Sequence, residues 1–167
     1  NLAPAPNADG IYILPDVNNP ASYPKFPFAH PPYTCRMLAY LQVAVFDGLI
    51  ECWQFNKQFN RPAPSANAAD LDPYYGDVYL TSYPSQGATV TAIAQSILSS
   101  MFPLEKDYIK AKADEHLASL TYTGMNVNSD IVAGVDLGTK VASEVMKRAA
   151  NDGMKKAQST RPVSDSI

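Results

Sequence analysis

The residue that most suggests chemistry is Ser85, which follows a proline and precedes helix-forming residues in the segment Tyr83-Pro-Ser-Gln-Gly-Ala-Thr89. The first N–H groups of a helix have no partner within the helix, and together with a serine hydroxyl they suit an anion. A serine at this place is also a common cap of the first helical turn. The segment therefore predicts either an oxyanion site or an ordinary helix start.

Few other side chains could act as acids, bases or metal ligands. The chain has two histidines, His30 in a proline-rich stretch and His116 in a charged stretch where a surface position is the simpler expectation. Asp47 and Glu51 are four residues apart and would share one face of a helix, which would permit a paired-carboxylate acid/base or metal role. The simpler expectation is one carboxylate at the core edge and one in solvent, because neither a histidine nor a third carboxylate is close in sequence.

Composition excludes several classes of protein. The 167 residues are 46% hydrophobic and 17% charged, which argues for one folded domain and against general disorder. A net charge of −3 offers no basic surplus for nucleic acid. Two cysteines and two histidines exclude a disulfide scaffold and a His-rich metal site. The most apolar run, Met37–Phe46, has ten uncharged residues where a membrane span needs about 20, so no span is predicted.

The elements that must position these residues are helices. Apolar spacing and breakers predict helices over about 33–56, 88–101, 104–120 and 129–150, which makes an all-α bundle of four to five helices. In the first helix the residues at three- and four-residue steps predict one broad apolar face: Leu38, Leu41, Val45, Leu49 and Trp53.

Three further features concern the helices. Cys35 and Cys52 fall on the first helix, too far apart for an intrachain disulfide. Ser129 and Asp130 are expected to cap the last helix with an early carboxylate. Gly134 and Gly138 inside that helix are expected to permit close approach of a neighbour.

The flanks of the bundle have a different composition. The eight prolines of residues 1–32 predict an extended N-terminal arm over 1–30, ahead of a helical domain over 31–150 and a polar tail over 151–167. Residues 61–87 read as a long loop whose tyrosines, including Tyr74, Tyr75, Tyr79 and Tyr83, either stack on a ligand or pack onto the bundle.

Three short motifs stand in one order along the chain. Arg61-Pro62 follows a helix bearing Trp53 and Lys57, Pro84-Ser85 comes next, and Ser119 stands in register with Asp130. Over about residues 28–145 the chain resembles the soluble branch of the type 2 phosphatidic acid phosphatase and vanadium haloperoxidase superfamily. The signature of that superfamily is K-x6-R-P, then P-S-G-H, then S-R-x5-H-x3-D.

The resemblance implies a site for phosphate or vanadate, but with most of its chemistry replaced. In the family the lysine and both arginines hold the oxyanion, the serine and glycine donate to it, and two histidines act as acid/base and as nucleophile or vanadium ligand. Arg61, Ser85 and Asp130 match these positions, the last as the aspartate that orients the nucleophile. The departures are Gln54 for the lysine, Gln86 and Gly87 for glycine and histidine, Leu120 for the second arginine and Asn126 for the nucleophile.

These departures predict a domain without the catalysis of the family. The amide nitrogen of Asn126 has no available lone pair, so it cannot attack phosphorus or hold vanadium. We expect no bound cofactor, no vanadate, and at most a residual pocket for a phosphate-like anion. That pocket would consist of Arg61, Ser85, Gln86 and Gly87, with Lys57 nearby.

Two alternatives to an inactive anion-binding domain stay open. One is an active soluble acid phosphatase, a phosphoric-ester hydrolase with a rearranged site that uses His116, His30 or the Asp47/Glu51 pair. The other is a structural subunit that works as a homo-oligomer or with a partner chain. The non-Met start and the resemblance to soluble members favour a secreted or periplasmic protein.

Overall fold

The protein is an all-α bundle of four helices in a computed structural model that describes residues 8–10, 31–68, 70–71 and 81–154. The predicted arm and tail are described only at 8–10 and 151–154, and His30, Tyr74, Tyr75 and Tyr79 lie outside the described residues. Within the described ranges, no helix has the length and apolarity to cross a membrane. The helices are α1 (Pro31–Phe59), α2 (Gln86–Met101), α3 (Lys106–Tyr122) and α4 (Asn128–Ala150).

α1 is longer than predicted and its apolar residues do not share one face. Leu41 and Val45 pack against the core, but Leu38 and Trp53 are 45% and 53% exposed, so the single broad face was wrong for these two residues. Cys35 is exposed and Cys52 is buried on this continuous helix, and both are free thiols, as the spacing predicted.

α2 is the central helix, since it packs against each of the other three, whereas α3 only touches α4 lightly. Its apolar side chains Ile93 and Ile97 are fully buried between Ala44 of α1 and Ala142 of α4. A second cluster joins Ala88 of α2 with partners on α3 and α4, namely Leu120 and Ile131. The start of α2 is therefore enclosed on three sides.

α2 and α4 approach each other closely along two glycines of α4, as the sequence predicted. A Cβ atom on Gly134 would lie 2.4 Å from the carbonyl oxygen of Ser85, and one on Gly138 would lie 2.3 Å from that of Thr89. Such distances are far inside van der Waals contact, so only glycine allows the two backbones to touch.

The helix starts differ by a few residues from the predicted ones. Ser85 caps α2 by accepting a hydrogen bond from the N–H of Ala88 (3.2 Å), and α2 consequently begins at Gln86 rather than near residue 88. Ser129 does not cap α4, because that helix begins at Asn128 and Ser129 is inside its first turn. The early carboxylate Asp130 is confirmed, and it accepts from the N–H of Val127 (3.0 Å).

Arg36 fastens the beginning of α1 to the end of α4. Its guanidinium donates to the carboxylate of Asp152 (2.6 Å) and to the carbonyl of Ala149 (2.7 Å), one of the last carbonyls of the helix. Tyr40 donates to the same carboxylate (3.0 Å). The contacts close the bundle at the end opposite Ser85.

The close approach of α2 and α4 makes a prediction about Gly138. Gly138→Ala should cost about 2 kcal/mol or more of unfolding free energy, because the new methyl group must push α4 away from Thr89. Chemical denaturation followed by circular dichroism measures this cost. Thr139→Ala, on the exposed side of the same turn, should change stability by less than about 0.5 kcal/mol; equal effects of the two variants would contradict the contact.

The Arg36–Asp152 contact predicts a loss of stability in acid. The hydrogen bond from Arg36, with that from the Met154 N–H, lowers the pKa of Asp152 from 3.8 to about 2. Because the folded-state pKa lies below the unfolded value, the stabilisation is complete above about pH 4 and disappears as the pH falls towards 2. Asp152→Asn should therefore be less stable than the wild type at pH 5 but nearly equal to it at pH 2, when melting temperatures are compared. A difference that stays constant with pH would disprove this role.

Candidate functional site

Two hydrogen bonds join the residues that follow α1 to those that precede α2. Asn60 ends α1 with a positive φ of 46°, which turns the chain back. The carbonyl of Arg61 then accepts from the N–H of Ser82 (2.9 Å), and the Ser82 hydroxyl donates to the carbonyl of Pro62 (3.1 Å). These bonds hold Arg61 beside the N-terminus of α2.

Pro84 is held by the buried face of α1. Its carbonyl accepts from the amide of Asn56 (2.9 Å) and, more weakly, from the thiol of Cys52 (3.5 Å). Burial raises the pKa of the Cys52 thiol, the hydrogen bond from Thr89 acting in the opposite direction, so this thiol stays protonated. We did not predict Asn56 from the sequence. The feature of the sequence that could have indicated it is an amide side chain four residues after Cys52, on a face of α1 that is otherwise apolar.

Ser85 and Asn126 form a buried pair at the centre of the site. The Ser85 hydroxyl donates to Asn126 Oδ1 (2.9 Å), and Asn126 Nδ2 donates to the carbonyl of Ser82 (2.9 Å). The orientation of the amide is determined by these partners, because the reverse orientation would place its oxygen against a carbonyl oxygen. The two residues are only 1% and 8% exposed, so both ends of the amide are used inside the protein.

Asp130 brings a negative charge into the interior. Its side chain is fully buried, and Oδ1 lies 2.9 Å from NH1 of Arg61, whose side chain is 43% exposed. Among the described residues Oδ1 accepts no hydrogen bond, so this contact is an ion pair without hydrogen-bond geometry. The backbone carbonyl of Asp130 accepts from the N–H of Ser85 (3.0 Å), which ties the ion pair to the Ser85–Asn126 pair.

Arg61 has two further partners that were not predicted. Its NH1 donates to the hydroxyl of Ser129 (2.9 Å), and the guanidinium lies over the ring of Tyr83, 5.7 Å from the centroid. The cation is therefore engaged on one edge by α4 and on one face by an aromatic ring.

The structure thus brings four of the predicted site residues together: Arg61, Ser85, Asn126 and Asp130. Leu120 is close to them but on the apolar side, where a Cβ on Gly87 would lie 2.9 Å from its Cδ2. We call the four residues the polar cluster.

The other predicted residues lie outside the polar cluster. Gln86 uses its side chain on α1, since its amide donates to Asn56 (3.1 Å) and its oxygen accepts from the indole N–H of Trp53 (3.1 Å). Gln54 and Lys57 are exposed on α1, and their side chains form no hydrogen bond or ion pair with any described residue.

A cavity of about 290 Å³ opens at the start of α2. Of the four residues of the polar cluster, only Asn126 lines this cavity. His116 is exposed, as the simpler expectation had it, but it also borders this cavity. The lining residues are Thr81, Ser82, Gln86, Gly87, His116, Leu120, Met125 and Asn126.

The hydroxyl of Thr91 orients the ring of His116. The Thr91 hydroxyl donates to the carbonyl of Gly87 (2.7 Å) and also contacts Nδ1 of His116. Because this hydroxyl has one proton, Nδ1 must carry the hydrogen on the histidine side, which leaves Nε2 as the basic nitrogen of the neutral ring.

Neither carboxylate of the pair that the sequence suggested lies at the core edge, where one of them was expected. Asp47 and Glu51 are exposed on α1. In the ranges that the structure covers, no group of three His, Cys, Asp or Glu side chains is arranged to hold a metal ion.

Comparison with known proteins does not assign the chain to a family. No family model matches it, and no curated protein is similar enough to be counted as a relative.

The buried charge of Asp130 makes a prediction about stability. Asp130→Ala should cost about 3–5 kcal/mol, because it leaves the N–H of Val127 without its acceptor and Arg61 without its counter-ion. Asp136→Ala is the matched control, since Asp136 is on the same helix and pairs with Lys140 in solvent; it should cost less than about 0.5 kcal/mol. Urea unfolding of both variants tests this, and a cost below about 1 kcal/mol for Asp130→Ala would contradict the structural role.

Proposed function

We propose that this protein is a non-catalytic domain of the phosphatase and haloperoxidase type, in which the reaction site has become a structural polar cluster. The observation that carries the proposal is the side chain of Asn126, whose oxygen and nitrogen are both bound inside the protein. An amide so placed offers no nucleophile to a phosphate ester.

The remaining family-like groups are also engaged. The Ser85 hydroxyl gives its single proton to Asn126, and Arg61 faces the carboxylate of Asp130. An incoming oxyanion would have to displace a buried carboxylate from its cation, and it would be repelled by that carboxylate while doing so. The geometry therefore supports internal stabilisation better than tight anion binding.

An apolar side chain lies beside the start of α2, at the edge of the cavity. Leu120 is 6% exposed and packs against Ala88 and Ile131, and its terminal methyl groups would have to move to admit a side chain at position 87. Where the resembled family has an arginine and a histidine, this chain has a leucine in contact with a glycine. The residues present do not fit vanadate, because both the cation and the nitrogen ligand are replaced.

Weak binding of a phosphate-like anion is the most that this arrangement supports. The N–H groups of Gln86 and Gly87 have no acceptor within α2, and the outer edge of Arg61 is exposed. Lys57 is exposed nearby in sequence but does not contact the polar cluster, so it adds only a long-range charge.

His116 supports a second candidate function, a phosphoesterase with a rearranged site. Its ring is oriented by Thr91 and borders the same cavity as Gly87 and Asn126. Neutral Nε2 could accept a proton from a water molecule there. Leu120 stands where the resembled family has its second arginine, so this candidate lacks a second cation to hold a phosphate. We therefore place it after the non-catalytic domain.

The first test is hydrolysis of a generic phosphomonoester at pH 5–7. We expect no turnover above background, for the wild type and for Arg61→Ala alike, because the amide of Asn126 stands where the resembled family has its nucleophile. Lys112→Gln, on the same helix, is the matched control for His116→Gln. Turnover that disappears in His116→Gln but persists in Lys112→Gln would overturn the first proposal in favour of the second.

The second test is the effect of phosphate on thermal stability. Weak binding predicts a rise in melting temperature of no more than about 2 °C at about 10 mM phosphate, and this rise should disappear in Arg61→Ala. Lys140→Ala removes a cation elsewhere on α4 and controls for general charge effects. A rise several times larger, or one that survives Arg61→Ala, would contradict the residual pocket.

A further inference from the structure

The outer face of α1 carries a regular row of exposed apolar side chains. Val43, Phe46 and Trp53 are 53%, 65% and 53% exposed. Together with their neighbours in the row they follow a spacing of four, three, four and three residues. We call this row the α1 seam. Its residues are Ala39, Val43, Phe46, Ile50 and Trp53, of which Ile50 is half-buried and the others are exposed.

The α1 seam is not the edge of the buried face. At 100° per residue its five members lie within about 40° of one line along the helix. That line is opposite Gly48, whose position is buried against Ile93 of α2. α1 therefore presents apolar side chains in two opposite directions, and the bundle covers only one of them.

The spacing of the α1 seam indicates what can cover it. A repeat of 3.5 residues is the pattern by which two helices pair side by side with interlocking side chains. The positions beside the row include neutral side chains such as Gln42 and Gln54. The charges near it are Asp47 beside the row and Arg36 and Lys57 towards its two ends. They would lie at the rim of an interface, where polar groups are usual.

We propose that a second copy of this chain binds along the α1 seam, so that two α1 helices form the interface of a symmetric dimer. The 29 residues of α1 extend over about 43 Å. Phe46 and Trp53 alone expose roughly 250 Å² between them. With Ala39, Val43 and Ile50 the apolar strip still falls short of the roughly 800 Å² per partner of a standard interface, so the polar side chains beside it would supply the rest. The dimer is therefore of the smallest stable size, with dissociation expected in the micromolar range.

The two helices run antiparallel. A parallel pair in register would place Lys57 beside the partner's Lys57 and Trp53 against the partner's Trp53, which combines like charges with the bulkiest contact. An antiparallel pair centred near Gly48 places Trp53 against the partner's Val43 and Phe46 against the partner's Ile50. Large side chains then meet smaller ones along the row.

The direct test is sedimentation of the full chain from about 1 µM to about 200 µM in reducing buffer. We expect a monomer–dimer equilibrium for the wild type. Phe46→Glu should weaken it by about 100-fold, because a carboxylate is then buried in the seam. Tyr122→Glu is the matched control, since Tyr122 is 86% exposed on α3, and it should change the dissociation constant by less than about twofold.

Trp53 reports on the seam directly because it is the single tryptophan of the chain. Dilution of the wild type should shift its fluorescence to longer wavelength as the ring returns to water, and Phe46→Glu should show the shifted spectrum at every concentration. A wild type that is monomeric throughout, or a dimer that Phe46→Glu leaves intact, would overturn the proposal, including the case in which another part of the chain covers the seam.

Cys35 tests the orientation. It is exposed near the beginning of α1, whereas the other thiol, Cys52, is buried. In the antiparallel dimer the two Cys35 residues are about 39 Å apart, beyond a short bis-maleimide, whereas in a parallel pair they would be within its reach. Efficient cross-linking of the wild-type dimer through Cys35 would disprove the antiparallel arrangement.

Discussion

The contact on which the structure depends is the backbone approach of α4 to α2. Gly134 and Gly138 allow α4 to lie against the carbonyls of Ser85 and Thr89. As a result the first turn of α4 reaches the first turn of α2, and the carbonyl of Asp130 accepts from the N–H of Ser85. A larger separation would expose the carboxylate of Asp130 and separate Ser85 from Asn126. The polar cluster is thus a consequence of helix packing, and its hydrogen bonds in turn hold the helices in register.

Once the carboxylate is buried, its neighbours are constrained by electrostatics. A buried carboxylate is tolerated only with a compensating charge or dipole, and here Arg61 and the positive end of α4 supply both. The guanidinium that could bind an oxyanion is therefore required for stability. This is the physical reason why we regard the cluster as structural: its cation cannot be given to a ligand without leaving a charge unpaired in the interior.

The sequence predicted the helices well and the partners of the site poorly. Periodicity and breakers located all four helices to within a few residues, and the two glycines of α4 predicted its close approach to α2. The resemblance placed Ser85 and Asn126 in one site, but their direct hydrogen bond could not be predicted, because it joins residues 41 positions apart through packing alone. The exposure of Leu38 and Trp53 could not be predicted either. An apolar residue at helical spacing gives the same pattern whether it faces the core of its own bundle or the outside of the protein.

Trp53 links the two surfaces on which function can depend. Its indole N–H donates to Gln86, which in turn donates to Asn56 and so reaches the start of α2, while part of its ring is exposed on the α1 seam. A partner that covers the ring would restrict the motion of Trp53. Through the hydrogen bond from Trp53 to Gln86, it would also restrict the Gln86 side chain, which borders the cavity. This route runs from an outer helix face to the beginning of α2 and does not involve Asn126. Association through α1 is in this respect better supported by the geometry than chemistry at Asn126, because no described residue covers the apolar side chains of the seam, whereas both ends of the amide are hydrogen-bonded.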